Sequence, residues 1–325
     1  MVLPSSVFPL PSAPLAIVGN LNVDQWLRTV ERFPDWDEEV LVDSARLELA
    51  GTAGYALLVG RALGLEPVVV STLGDDVFGR FVLAELAALG VDAAGVEVLL
   101  GEETSLGMVF VGADGRRAIL STLGAHARMG VEVAERHDDR VARCAEVLLC
   151  GNYLLPRFSS AHVLGYARRL RKRGQIVAFD PSWDPAGWGD QTRRETFALL
   201  ETVDVYLPNG EELTRLTGAS SWQDALRVVA GLPGETILKR GAAGAVYGRA
   251  DERVEVPGFA VEAVNTIGAG DTFDVAYLYA RRLGWPPERR LRFACALAAI
   301  VVSQRGARAY PNPTAVEAFL VAHAG

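Results

Sequence analysis

The chain has 325 residues, with 32 Lys plus Arg against 40 Asp plus Glu, for a net charge of −8. Half of the residues are hydrophobic, which excludes disorder as the main state and supplies material for a core. The acidic balance excludes a nucleic-acid binder that works through bulk charge, because neutralising phosphates needs a basic surface.

The N-terminus, MVLPSSVFPLPSAPLAIVGN, is apolar but broken by Pro4, Pro9, Pro11 and Pro14, and it lacks a basic start. It reads as a loose leader before a strand and not as a signal peptide. Leu15–Gly19 is the first expected strand. Trp26–Ala50 then alternates without a helical pattern and carries the acidic turn Asp35-Trp36-Asp37-Glu38-Glu39. A helix over Thr52–Leu63, a strand over Pro67–Ser71 and a helix over Val77–Leu89 follow. Thr104–Thr122 reads as two strands around Ala113-Asp114-Gly115-Arg116, where Asp-Gly is a hairpin signal. Beyond it, strands at Glu146–Cys150, Gln175–Phe179, Asp204–Leu207 and Glu235–Lys239 alternate with helices at Ser159–Lys172, Arg193–Glu201 and Trp222–Ala230. Helices at Ala269–Leu283, Pro287–Ser303 and Thr314–Ala322 end the chain.

The strands are near-continuous apolar runs, as expected when both faces are buried. Alternating strands and helices predict an α/β domain, with a mostly parallel sheet between helical layers. Segments 22–50 and 104–122 break that rhythm and predict a small accessory β-sheet, a lid over the carboxyl ends of the parallel strands. The whole of 1–325 reads as a single domain of this kind. The longest apolar stretch near the C-terminus, Phe293–Val302, is far short of the roughly 20 residues of a membrane span. Cys144, Cys150 and Cys295 form no C-x-x-C pair and imply no disulfide framework. They read as reduced core thiols of a cytoplasmic protein.

Several chemistries are excluded by motif. Neither lysine, Lys172 or Lys239, follows a glycine, so the P-loop is absent. No G-x-G-x-x-G follows the first strand. None of His126, His137, His162 and His323 lies in H-E-x-x-H, and no G-x-S-x-G occurs.

The most informative segment is Val264-Asn265-Thr266-Ile267-Gly268-Ala269-Gly270-Asp271-Thr272-Phe273, which opens a long helical pattern. The small residues Gly268, Ala269 and Gly270 let a ligand approach the backbone, and amides at a helix start have no intrahelical partner. With the helix dipole they make an anion site. Asp271 falls in the first turn beside that site. There it either caps the helix or accepts a proton from an attacking hydroxyl while the amides stabilise a phosphoryl group. The tetrapeptide alone arises by chance in a chain of this length about one time in a hundred.

This segment resembles the C-terminal signature of the ribokinase-like (PfkB) family of carbohydrate and nucleoside kinases. Other segments agree with that family in the same order. Gly19-Asn20-Leu21-Asn22-Val23-Asp24 resembles its first-strand motif, and Ala50-Gly51-Thr52-Ala53-Gly54 the start of its first large helix. Gly74-Asp75-Asp76-Val77-Phe78-Gly79 is similar to the family's next turn, and Asn209-Gly210-Glu211-Glu212 to its N-x-x-E motif. Lys239-Arg240-Gly241-Ala242-Ala243-Gly244 resembles its nucleotide-side glycine turn. The resemblance covers roughly residues 15 to 322.

It implies an ATP-dependent, Mg²⁺-requiring kinase with a three-layer αβα core and a β lid. Asp271 would be the general base and Gly268, Ala269 and Gly270 the anion hole. Asn22, Asp24, Gly51, Thr52 and Tyr55 would line the acceptor site. Asn209, Lys239, Gly241, Gly244 and Thr266 would serve the nucleotide, and Glu212 would hold Mg²⁺ through water. The acceptor would be a sugar, or a nucleoside on the same scaffold, and exposed lid edges would pair two subunits into a homodimer. No membrane or nucleic-acid partner is expected, and a catalytically silent sugar or nucleotide sensor is the rival from another class.

The residues themselves leave some roles open. Asn22 and Asp24 follow a strand, where an amide and a carboxylate either bind vicinal hydroxyls or form a turn. Lys239 and Arg240 either contact nucleotide phosphates or sit as solvated charges at a strand end. The chain also departs from the family pattern. Tyr55 stands where many members carry Asn, either to stack on a ring or to fill space, and Thr52 stands where ribokinases carry Lys. Tyr153 falls near an acidic sugar contact of ribokinase. Asn265 replaces the Asp that contributes to a monovalent-cation site, so K⁺ activation is open. No basic cluster suited to a sugar phosphate stands out on the expected lid, where Arg116 and Arg117 are the nearest candidates.

Overall fold

Strand β1 (Leu15–Gly19) leads into β2 (Asn22–Val30) and β3 (Ser44–Ala50), followed by α1 (Thr52–Ala62), β4 (Pro67–Gly74), α2 (Val77–Ala88) and β5 (Val96–Leu99). Next come β6 (Leu106–Gly112), β7 (Arg117–Ser121) and two short helices, α3 (Val131–Arg136) and α4 (Asp138–Val141). Strands and helices then alternate through β8 (Glu146–Cys150), α5 (Ser160–Lys172), β9 (Ile176–Asp180), α6 (Asp190–Leu200), β10 (Val205–Tyr206), α7 (Gly210–Thr217), α8 (Trp222–Val229) and β11 (Glu235–Lys239). A hairpin, β12 (Ala245–Arg249) and β13 (Glu252–Val256), precedes α9 (Ala269–Arg282), α10 (Pro287–Val302) and α11 (Pro313–Ala322). The computed structural model describes residues 14–112, 116–304 and 309–323. The expected leader up to residue 13 and the Ala113–Gly115 part of the hairpin turn lie outside the described residues.

The elements form a nine-stranded sheet, ordered β13-β12-β11-β10-β9-β8-β1-β4-β5, and a four-stranded sheet, ordered β3-β2-β6-β7. In the large sheet only the β11–β12 and β12–β13 pairings are antiparallel. Strand β1 explains why its neighbours are apolar throughout. Leu15 and Ile17 point into one buried cluster with α1, α2, α9 and α10, while Ala16 and Val18 point into a second with α5, α7 and α8. Two helical layers therefore sandwich the sheet, as the unbroken hydrophobic runs require.

The chain leaves β1 in two directions, first to β4 and β5 and later to β8, β9 and β10. Such a reversal opens a crevice at the carboxyl ends of the strands. The ends of β1 and β8 touch there: a Cβ on Gly19 would lie 2.3 Å from the carbonyl oxygen of Cys150.

The small sheet takes in both segments expected to form a lid. Strand β2 pairs antiparallel with β3 and parallel with β6, and β6 pairs antiparallel with β7. The β12–β13 hairpin and edge strand β5 lie outside the expected strands, because short, half-exposed strands carry too few apolar positions to stand out. Among the described residues no helix is long and apolar enough to cross a membrane.

Candidate active site

Past the end of β1 the backbone turns at Asn20 and re-enters as β2, so Asn22 and Asp24 fall on one pleat of the lid. Asn22 Nδ2 donates to Asp24 Oδ1 at 3.1 Å, and the Tyr55 hydroxyl of α1 donates to Asp24 Oδ2 at 2.9 Å. All three are buried. Tyr55 thus orients the Asp24 carboxylate through its hydroxyl. Gly51 sits at φ +84°, and a Cβ there would lie 2.3 Å from Asn20 O and 2.5 Å from Asn22 Oδ1. Only glycine lets α1 begin this close to the β1–β2 turn. The Thr52 hydroxyl donates to Asn20 Oδ1, so it locks the same turn.

Gly268 caps α9 at φ +71°. Hydrogen bonding within the helix begins with Thr272 N, which donates to Gly268 O at 2.9 Å. The Ala269 amide turns to Thr266 O at 3.3 Å, and Gly270 and Asp271 follow in the first turn, ahead of the first intrahelical bond. Asp271 is half-buried in this first turn. Ahead of it, Asn265 Oδ1 accepts from Ile267 N at 3.1 Å, so the neutral amide supplies the turn acceptor that an Asp would otherwise provide. Cys150 locates this turn relative to the acceptor residues. Burial pushes its thiol well above the usual range, a hydrogen bond with Thr52 opposes that, and the charges of Asp271, Asp180 and Asp274 add to it. A Cβ on Gly151, just past β8, would lie 2.0 Å from Asn20 Oδ1 and 2.8 Å from Thr52 Oγ1, and α1 packs against α9, so the acceptor turn and the α9 helix meet at this strand end.

Beside the helix start lies an apolar cleft of about 250 Å³. Gly241, Gly244, Thr266, Ala269 and Gly270 line it, together with Gly258 and Phe259 after the hairpin and Ala298 and Val302 of α10. The glycine turn is thus brought to the anion turn as expected. The walls from α10 and Phe259 carry no sequence signal beyond ordinary apolar residues.

Lys239 is no solvated strand-end charge. Its side chain is only 11% exposed, and its Nζ donates to Asp180 Oδ2 at 3.1 Å and to both Asp274 oxygens at 3.0 and 2.9 Å. Burial alone would lower its pKa, but Asp180 and Asp274 outweigh burial and raise it. Burial also pushes the Asp274 carboxyl well above its ordinary range, so it keeps its proton to a higher pH. The Asp180 carboxyl is lowered, because Lys239 overcomes its desolvation. This cluster lies beneath the anion turn, since a Cβ on Gly270 would be 3.6 Å from Lys239 Nζ. Sequence reading leaves out Asp180 and Asp274; the Asp three residues after Asp271 is a signal that would have found one of them. Arg240 pairs with Glu255 and stacks on Trp222 at 4.4 Å.

Asn209 and Glu212 form a reciprocal capping box on α7. Asn209 Oδ1 accepts from Glu212 N at 2.9 Å, and Glu212 Oε2 accepts from Asn209 N at 2.7 Å. Burial and then the Asp180 charge raise the Glu212 carboxyl to about 7. Among the described residues no three His, Cys, Asp or Glu side chains gather into a metal cage. A lone buried carboxylate suits Mg²⁺, which keeps several waters and takes phosphate oxygens. Tyr153 turns away to Thr196 and packs edge-on against Trp188 at 4.9 Å, within the second core.

The lid reaches the anion turn through Arg117 of β7, which donates to Thr266 Oγ1 and to Asn265 Oδ1, the latter at 3.5 Å.

The chain matches the model of the pfkB family carbohydrate kinases over residues 13–315. It is 30% identical over 308 residues to an ATP-dependent ribose-1-phosphate kinase of Halopiger xanaduensis, covering 93% of this chain and 96% of that protein. It is 32% identical over 281 residues to fructokinase-1 of Oryza sativa subsp. japonica, covering 82% and 85%. The solved Arabidopsis thaliana ribokinase complexed with ribose and ATP superposes with a TM-score of 0.79 at 25% identity, over 95% of this chain and 99% of that one. The chain therefore belongs to the pfkB family of carbohydrate kinases, phosphotransferases of the ribokinase fold.

Proposed function

We propose that this sugar kinase carries the γ-phosphoryl group of ATP to a sugar hydroxyl held beneath the lid, within a single domain that spans the chain. The observation that carries the reading is the convergence of Asp24, held by Asn22 and Tyr55, and the Gly268–Asp271 turn around the ends of β1 and β8. Asp24 and Asn22 grip acceptor hydroxyls, and Gly51 and Thr52 shape the turn beneath them. Asp271 accepts the proton of the attacking hydroxyl, while the amides at the α9 start stabilise the transferring phosphoryl charge. The apolar cleft beside Gly241 and Gly244 seats the nucleotide base and ribose. Lys239 acts from below: its ammonium, held by Asp180 and Asp274, offsets the carboxylates under the phosphate site. Glu212 and Asn209 stand where Mg²⁺ would be held through water, and the cation would neutralise phosphate charge. Asn265 fulfils its turn role without a charge, so the reading includes no requirement for K⁺.

A nucleoside acceptor is the weaker reading, because the Tyr55 hydroxyl is committed to orienting Asp24. Closure of the lid excludes water so that the sugar hydroxyl outcompetes hydrolysis. We further propose a homodimer through the lid.

Purified protein with Mg-ATP and a panel of sugars and nucleosides tests the reading by ADP release. A sugar should stimulate release, and Asp271→Asn should lower the rate by about 10²- to 10⁴-fold, the usual contribution of a general base. Full activity in Asp271→Asn would sink the mechanism. Ligand binding without turnover would make the protein a sensor.

A further inference from the structure

The pairing of the lid strands brings together side chains that are far apart in the sequence. Register places Glu48, Asp24 and Gly107 in one row across β3, β2 and β6, with Ser121 of β7 opposite Gly107. The next row on the same face is Arg46, Trp26, Val109 and Ile119, and the one after it is Ser44, Arg28, Val111 and Arg117. Side chains two apart on a strand share a face, so Arg28, Arg46 and Arg117 lie on the face that carries Asn22 and Asp24. Contacts agree with the register. The Arg28 guanidinium lies 5.3 Å and that of Arg46 6.0 Å from the Trp26 ring centre. Arg117 touches Asn265 and Thr266 of the anion turn, so this face looks onto the site.

On this face Glu48 pairs with Arg46 at 2.6 Å, and Asp24 accepts from Asn22 and Tyr55. Arg28 and Arg117 flank Val111, two strand spacings or about 10 Å apart. Arginine side chains are long enough to converge on one group between them. A neutral sugar needs hydroxyl acceptors and donors, which Asn22 and Asp24 supply. It gives no reason to line that face with guanidiniums. A phosphate monoester does, because its three oxygens take forked hydrogen bonds from more than one guanidinium. In a chain of net charge −8, an anionic acceptor also needs a local positive surface to be drawn in.

We propose that Arg28, Arg46 and Arg117 form a binding surface for a phosphate already present on the acceptor, so that the substrate is a sugar monophosphate and the product a sugar bisphosphate. The inference rests on the kinase reading above and names its substrate class. The reaction that supplies this kinase would then be one that releases or makes a phosphorylated sugar.

Steady-state kinetics with Mg-ATP should compare ribose, fructose and gluconate with ribose 1-phosphate, ribose 5-phosphate and fructose 6-phosphate. At least one sugar phosphate should exceed its parent sugar in kcat/KM by about 100-fold or more, the scale on which a site built for a charged group discriminates. Arg28→Met and Arg117→Met should each lower the ratio of the two kcat/KM values by about tenfold, mainly through KM for the phosphorylated acceptor. Calorimetric binding of the sugar phosphate should weaken in parallel. Turnover of a neutral sugar or of gluconate at rates equal to or above every sugar phosphate overturns the inference and leaves the kinase reading standing. ADP release with no acceptor at all would overturn both. The wild-type panel decides even if a variant fails to fold.

Discussion

The hydroxyl of Tyr55 on α1 donates to Oδ2 of Asp24 on β2 at 2.9 Å and so ties the helical core to the lid. Asp24 is buried and also accepts from Asn22, so these donors orient the carboxylate. Tyr55→Phe removes one donor to a buried charged acceptor, a loss of roughly 1.5–3 kcal/mol. The acceptor KM should rise by about tenfold or more, with the ATP KM changed by less than about twofold. Kinetics with each substrate varied in turn checks this. An unchanged acceptor KM would remove Tyr55 and Asp24 from the acceptor site.

Much of this site is legible in the sequence because its parts are local. Gly268–Asp271 and Asn209–Glu212 are each confined to one helix start, where spacing alone fixes which groups meet. Asn22 and Asp24 belong together because a strand repeats every two residues. What stays hidden depends on pairing between distant segments. Arg28, Arg46 and Arg117 share a face only once β3-β2-β6-β7 register is known. The same holds for Lys239: its partners Asp180 and Asp274 lie 59 and 35 residues away in the chain, so sequence alone leaves open whether it meets a phosphate or sits as a charge at a strand end.

The Lys239 cluster predicts opposite outcomes for its two kinds of member. Lys239→Met leaves the Asp180 charge buried without its cation and should cost about 3–5 kcal/mol, the usual penalty for breaking a buried pair. For a chain of this size that corresponds to a fall of roughly 5 °C in Tm. Asp274→Asn removes one of the two carboxyl partners of Lys239 but leaves the Asp180–Lys239 pair in place, and burial already disfavours the Asp274 charge. It should change stability by less than about 1 kcal/mol. Denaturant unfolding of both variants checks the pair. Equal losses would mean that Asp274 is ionised in the folded protein.

The face of the lid turned away from the arginines is apolar. Leu27, Leu47, Met108, Phe110 and Leu120 share it by register, and Phe33 packs edge-on against Phe110 at 5.1 Å. Leu120 is 58% exposed and Phe33 56%, while Leu41 at 86% and Trp36 at 98% stand beside them in the β2–β3 connection. So large an exposed apolar surface is unusual on an otherwise acidic chain. A second copy of the chain would cover it, which is the homodimer proposed above. Leu120→Asp should weaken self-association by at least about tenfold by placing a charge on the covered face. Sedimentation at micromolar protein reads this directly. A wild-type monomer, or a dimer indifferent to Leu120→Asp, would exclude this face.

His126 predicts how stability depends on acid. It is fully buried, and its Nε2–H donates to Leu21 O at 3.0 Å, just behind the β1–β2 turn that carries Asn20 and Asn22. Burial lowers its pKa from 6.5 to about 4, against the carbonyl's smaller opposing effect. The unfolded chain therefore binds a proton below about pH 6.5 that the folded chain refuses until about pH 4. Stability from this group is fully present above pH 6.5 and is lost as the pH falls towards 4. The shift corresponds to roughly 3 kcal/mol across that window. His126→Gln keeps an N–H donor for Leu21 O but does not titrate. Denaturation midpoints between pH 7 and 4.5 should fall more steeply for the wild type than for the variant. Parallel slopes would mean that the imidazole already carries its proton in the folded state.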